Sequence, residues 1–90
     1  MAGRVGDRAI NRWSLVRLLK AWDEGHALVG LGHEKEHRLA WGNRVLVPRY
    51  RNGPVDSWKA LTMRQGAVLR GVLHGRMARA EREALQPRLF

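Results

Sequence analysis

Ninety residues make one small domain, and 17 Lys and Arg against 8 Asp and Glu give it a formal charge of +9, with no cysteine. That balance excludes a disulfide framework and a thiolate metal site, fits a reducing compartment, and points to an anionic partner. With 44% hydrophobic residues, and four tryptophans against one phenylalanine and one tyrosine, the chain supports a thin aromatic core rather than disorder.

Residues 1–6 read as a flexible lead without the apolar segment of a secretory signal, and no later run approaches the length of a membrane span. Cytoplasm is the expected compartment, without membrane contact. Asp7 is suited to cap a helix over residues 8–24, with Ile10, Trp13, Leu15, Val16, Leu18, Leu19 and Trp22 as its apolar set. Arg8, Arg12, Arg17 and Lys20 take much of the rest. Gly25 is available there for a left-handed cap.

From residue 26 to residue 51 the period changes. Residues 27–31 form a short apolar run, either a third strand or part of a helix, and a charged HEKEH segment follows it. Gly42-Asn43 suits a two-residue hairpin turn, and Val45, Leu46 and Val47 favour a pleated strand that Pro48 would place at an edge. Asn52-Gly53-Pro54 closes that unit. Trp58 is then carried into the core by a short turn capped by Asp56 or Ser57.

The longest helical pattern lies over residues 62–85. Leu61, Val68, Leu69, Val72 and Leu73 merge into one stripe, and Thr62 with Gln65 forms a capping box, so a helix should begin at Met63. An unbroken helix past Gly75 would bring Arg76 and Glu83 into that stripe, which predicts a break at Gly75. Residues 76–85 then form a second helix, with Arg79 and Glu83 pairing one turn apart. The expected fold is α+β: an N-terminal helix, a small antiparallel hairpin or three-stranded meander, and two C-terminal helices in a single domain over residues 1–90.

Three stretches resemble known signatures. His33, Glu34 and His37 match H-E-x-x-H, the zincin metalloprotease pattern, which implies zinc held by the two histidines and water activated by the glutamate. Residues 60–75, ALTMRQGAVLRGVLHG, resemble the opening helix of response-regulator helix-turn-helix domains, which implies a recognition helix over residues 76–85. The tail Gln86, Pro87, Arg88, Leu89, Phe90 resembles the pentapeptide by which bacterial replication and repair proteins dock on the sliding clamp.

The leading expectation is a small, non-enzymatic nucleic-acid-associated protein of phage, plasmid or bacterial origin, DNA-binding first of all and with no cofactor. Arg49, Arg51, Lys59, Arg64, Arg70, Arg76, Arg79 and Arg82 are the expected phosphate contacts, gathered on one side of the body. Trp41 and Tyr50, near Arg44, Arg49 and Arg51, are candidates to stack on single strands. The alternatives are a protein-binding inhibitor or adaptor that covers an acidic surface or a nucleic-acid-handling complex, and a zinc hydrolase built on His33, Glu34 and His37.

Overall fold

Asn11, not Asp7, opens the first helix. The computed structural model describes residues 7–51 and 54–85, and in it α1 spans Arg12–Gly25, with the Asn11 side chain accepting from the Ser14 amide at 2.8 Å. Residues 8–10 run beside residues 61–63 instead of joining the helix. Ile10 N donates to the Leu61 carbonyl at 2.8 Å, and Met63 N donates to the Arg8 carbonyl at 2.9 Å, around an isolated antiparallel bridge between Ala9 and Thr62. The Arg8 carbonyl thus satisfies an amide at the start of the last helix that has no acceptor within that helix.

A glycine ends α1, though not in the expected way. Gly25 is buried and right-handed, with Met77 Sδ 3.4 Å and Leu73 Cδ2 3.5 Å from where a Cβ would stand, so it permits close helix approach. The left-handed glycine is Gly30, at φ 76°, which closes a 3-10 turn over His26–Val29. Residues 27–31 therefore form no strand.

The predicted hairpin is a helix. α2 spans Lys35–Leu46 and runs straight through Gly42-Asn43, and the described residues contain no strand beyond the isolated bridge, so the fold is all-α rather than α+β. Both turn-forming residues are taken up by packing. A Cβ at Gly42 would lie 2.9 Å from Trp58 Nε1, so the glycine makes room for an indole. Asn43 spans a loop: its Oδ1 accepts from Val55 N at 2.8 Å, and its Nδ2 donates to the Val55 carbonyl at 2.9 Å. Tertiary contacts override the local turn preference.

Ser57 caps the 3-10 turn Trp58–Ala60 by accepting from Lys59 N at 3.2 Å, and Trp58 is buried, as the sequence implies. The capping box also forms. Thr62 N donates to Gln65 Oε1 at 3.0 Å and Gln65 N to Thr62 Oγ1 at 3.1 Å, so that α3 begins at Met63. It does not break at Gly75, however, but continues as one helix, Met63–Leu85. Beyond Met77, which still touches Gly25, its residues are exposed apart from half-buried Ala80. The last turns project into solvent, so Arg76 and Glu83 stay exposed and the burial cost that argued for a break does not arise.

α3 packs chiefly along α1, and the core between the elements holds Leu18, Trp22, Trp41, Leu46, Trp58, Leu61, Leu69 and Leu73. The three indoles touch one another, with ring centroids 5.5 to 6.5 Å apart. Trp22 Nε1 donates to the His33 carbonyl at 3.1 Å, whereas buried Trp58 Nε1 has no acceptor. An unmet donor of this kind costs about 1–3 kcal/mol, which the surrounding indole packing has to offset.

Two glycines in helix interiors should respond oppositely to alanine. Gly42→Ala forces a Cβ against a buried indole, and overpacking should outweigh the gain in helix propensity for a net loss of about 1 kcal/mol. At Gly75 an added Cβ meets nothing within 4 Å, so Gly75→Ala should stabilise by about 0.5–1 kcal/mol. Urea denaturation measures both, and destabilisation by Gly75→Ala would restore the predicted break.

Candidate functional site

The apolar stripes of α1 and α3 face each other, and the residues flanking those stripes are brought side by side. Arg17, Lys20, Ala21 and Glu24 from α1 and Arg70 and His74 from α3 line a groove of about 250 Å³. A second hollow of about 130 Å³, lined by Ser14, Met63, Gly66, Ala67 and Arg70, lies on the same helix pair and shares Arg70. Arg70 is half-buried, and the guanidinium at the end of a partly covered arginine stem can reach water.

The groove's cations are not engaged by the chain's own carboxylates. Among the described residues, Arg or Lys pairs with Asp or Glu only at Arg64–Asp7 (3.9 Å) and Arg79–Glu83 (3.3 Å), the latter being the expected pair one turn apart. Glu24 is the one acid in the groove lining. On the outward side of α1, Trp13 is 76% exposed and Val16 49% exposed, and with Arg12 they line a further depression of about 340 Å³. Arg17 and Lys20 follow Trp13 by four and seven residues, on the same side of the helix. The groove and this depression therefore form one basic surface with an aromatic edge.

Of the eight expected phosphate contacts, only Arg70 lines that surface. Arg64, Arg70, Arg76 and Arg82 are six residues apart, and at 3.6 residues per turn each step rotates by roughly 120°, so the first three point to three different sides of α3 and Arg82 repeats Arg64. Arg76, Arg79 and Arg82 lie on the projecting end. Arg49, exposed in the turn after α2, folds back so that its Nη1 donates to the Val45 carbonyl at 2.7 Å, while Arg51 and Lys59 are exposed on loop and turn. In the sequence, Arg12, Arg17 and Lys20 fall on the wet side of α1, with nothing local to mark them as a site. Centring the helix on its fully buried Leu18 and Trp22 assigns Trp13 and Val16 to that side as well.

The proposed stacking pair does not hold together. Trp41 is 6% exposed with its ring against Trp22 and Trp58, so it offers no free face, and Tyr50 packs half-buried on the same core. Trp13 is the exposed indole.

HEKEH is a helix start rather than a zinc-binding helix face. His33 precedes α2 and Glu34 is its N-cap residue. His33 Nε2 contacts Asp23 Oδ1, and its ring meets His26 edge-on at 5.4 Å, whereas His37 Nδ1 accepts from Gly32 N at 2.8 Å. The two rings have different partners and no common ligand position. No cluster of three or more His, Cys, Asp or Glu among the described residues is arranged to hold a metal ion.

Because α3 is continuous, the turn required by the helix-turn-helix resemblance is missing between residues 75 and 76. The lead over residues 1–6 and the clamp-like tail over residues 86–90 lie outside the described residues. No described helix is long and apolar enough to cross a membrane. Comparison with protein-family models, curated proteins and solved structures gives no match.

The burial pattern predicts a two-population quenching experiment. Acrylamide should reach a minor fraction of the tryptophan emission, and Trp13→Phe should abolish that fraction, leaving only the poorly quenched emission of Trp22, Trp41 and Trp58. An unchanged accessible fraction in the variant would contradict the assignment of Trp13 as the exposed indole.

Proposed function

We propose that this chain is a small, non-enzymatic protein that holds nucleic acid, DNA in the first instance, through its phosphates. The reading is supported chiefly by one observation: Arg17, Lys20 and Arg70 converge on a single groove while none of them is paired with a carboxylate. Arginine forks onto phosphate oxygens, and a cluster of unpaired cations displaces the counterions that a polyanion carries. Arg12 extends the cluster toward the start of α1. The absence of cysteine fits a cytoplasmic setting for such a protein.

A second reading, a protein-binding inhibitor or adaptor, is favoured by the projecting turns of α3. There Ala80, Ala84 and Leu85 continue beyond the body, and Leu85 is 83% exposed. A helix presented in this way suits a groove on a larger partner. Recovery of one stoichiometric protein after nuclease treatment, lost when Leu85 is changed to Lys, would favour it.

The two readings separate on salt. For about four phosphate contacts, affinity for a short duplex should fall about a hundred-fold between roughly 50 and 200 mM salt. Arg17→Ala, Lys20→Ala and Arg70→Ala should each lower the slope by about one contact, while Lys35→Ala, on the start of α2, leaves it unchanged. No binding to a duplex or to a single strand at the lower salt removes the nucleic-acid reading.

A further inference from the structure

The sequence has four tryptophans, and three of them build the core while the fourth is left in water. Burial of an indole contributes more to a small core than burial of almost any other side chain, yet Trp13 is 76% exposed on a helix whose opposite face has its own Leu18 and Trp22. Its surroundings are specific. Trp13, Val16 and Arg12 line one depression of about 340 Å³, and Arg17 and Lys20 continue from it into the groove shared with Arg70. None of Arg12, Arg17, Lys20 and Arg70 is ion-paired among the described residues.

We propose that Trp13 is a stacking platform for an unpaired base, so that this face takes single-stranded nucleic acid, with the backbone running along Arg17, Lys20 and Arg70; the inference rests on the phosphate-binding reading above. A flat aromatic bordered by cations is the arrangement by which proteins hold single strands without reading sequence, because every base has a π-face and every nucleotide a phosphate. In a duplex those faces are already stacked, and the indole has nothing to cover unless it forces a step apart. Val16 fills the wall of the depression one turn along, where it can meet the edge of the base or its sugar. From Trp13 to Lys20 is about 10 Å of helix, which places phosphate donors beyond the stacked nucleotide rather than on top of it.

An anionic membrane would meet the same charges but is the poorer match. Interfacial helices insert a broad apolar face, whereas here two apolar side chains, Trp13 and Val16, stand among Arg12, Arg17 and Lys20, with acidic Asp23 and Glu24 closing the same helix.

The test uses the full chain and fluorescence anisotropy with two labelled probes at one low salt concentration: an oligo-dT single strand and a blunt duplex of equal length. Trp13→Ala should weaken single-strand binding by about ten-fold or more and duplex binding by less than about two-fold, and Trp13→Phe should recover most of the loss. Far-UV circular dichroism of the variants checks that the fold is kept. If the wild type binds but Trp13→Ala weakens both probes alike, or neither, the stacking assignment is overturned and phosphate binding stands. A wild type that binds neither probe removes both. A blue shift of Trp13 emission on phosphatidylserine vesicles, without any response to the oligonucleotides, would assign the surface to lipid and overturn the proposal.

Discussion

Three indoles in mutual contact hold this protein together. Trp22 comes from α1, Trp41 from α2 and Trp58 from the 3-10 turn before α3, and the Trp22 ring lies 5.5 Å from Trp41 and 5.9 Å from Trp58, edge-on to the latter. A chain of this length has little interior, and a cluster of this kind packs much apolar area into few residues. The cluster also sets constraints elsewhere. Gly42 must lack a side chain because Trp58 lies against it, and the loop after α1 is held where Trp22 reaches the His33 carbonyl. Arg38 places its guanidinium 5.8 Å from the centre of the Trp58 ring, which adds a cation–π contact to the cluster's edge.

The same packing determines where charge accumulates. With Leu18 and Trp22 of α1 turned toward Leu69 and Leu73 of α3, the residues on the shoulders of the two stripes become neighbours across a groove, although some 50 residues separate them in sequence. Arg17 and Lys20 stand on one shoulder, Arg70 and His74 on the other. Opposing carboxylates lie mostly elsewhere. Asp23 faces His33, Glu34 faces His37, Asp7 faces Arg64 and Glu83 faces Arg79. Among the described residues, Arg12, Arg17, Lys20 and Arg70 are thus left unpaired on one surface, while Arg51, Lys59, Arg76 and Arg82 stand exposed elsewhere on the body.

Signals that depend on near neighbours were legible in the sequence. The Thr62–Gln65 capping box, the helix start at Met63, the Ser57 cap, the burial of Trp58 and the Arg79–Glu83 pair each require only a few residues of context, and each forms. The hairpin did not form because Gly42 and Asn43 are used by distant partners, Trp58 and Val55, that no local window contains. The break expected at Gly75 rests on Arg76 and Glu83 entering the buried stripe, whereas the continuous α3 leaves both exposed. The candidate site was legible only in part. Arginines six apart on α3 look like a basic face in the sequence yet wind around the helix, and the cations of α1 acquire meaning only once α3 lies beside them.

The central claim is that a polyanion lies across the α1–α3 surface. The most direct measurement is an amide-resolved NMR titration of the labelled chain with a short oligo-dT strand. The account predicts shift changes concentrated over residues 12–20 of α1 and 63–74 of α3, with α2 and the loop around Trp58 unmoved. Changes centred on α2, or on the acidic end near Asp23 and Glu34, would contradict it.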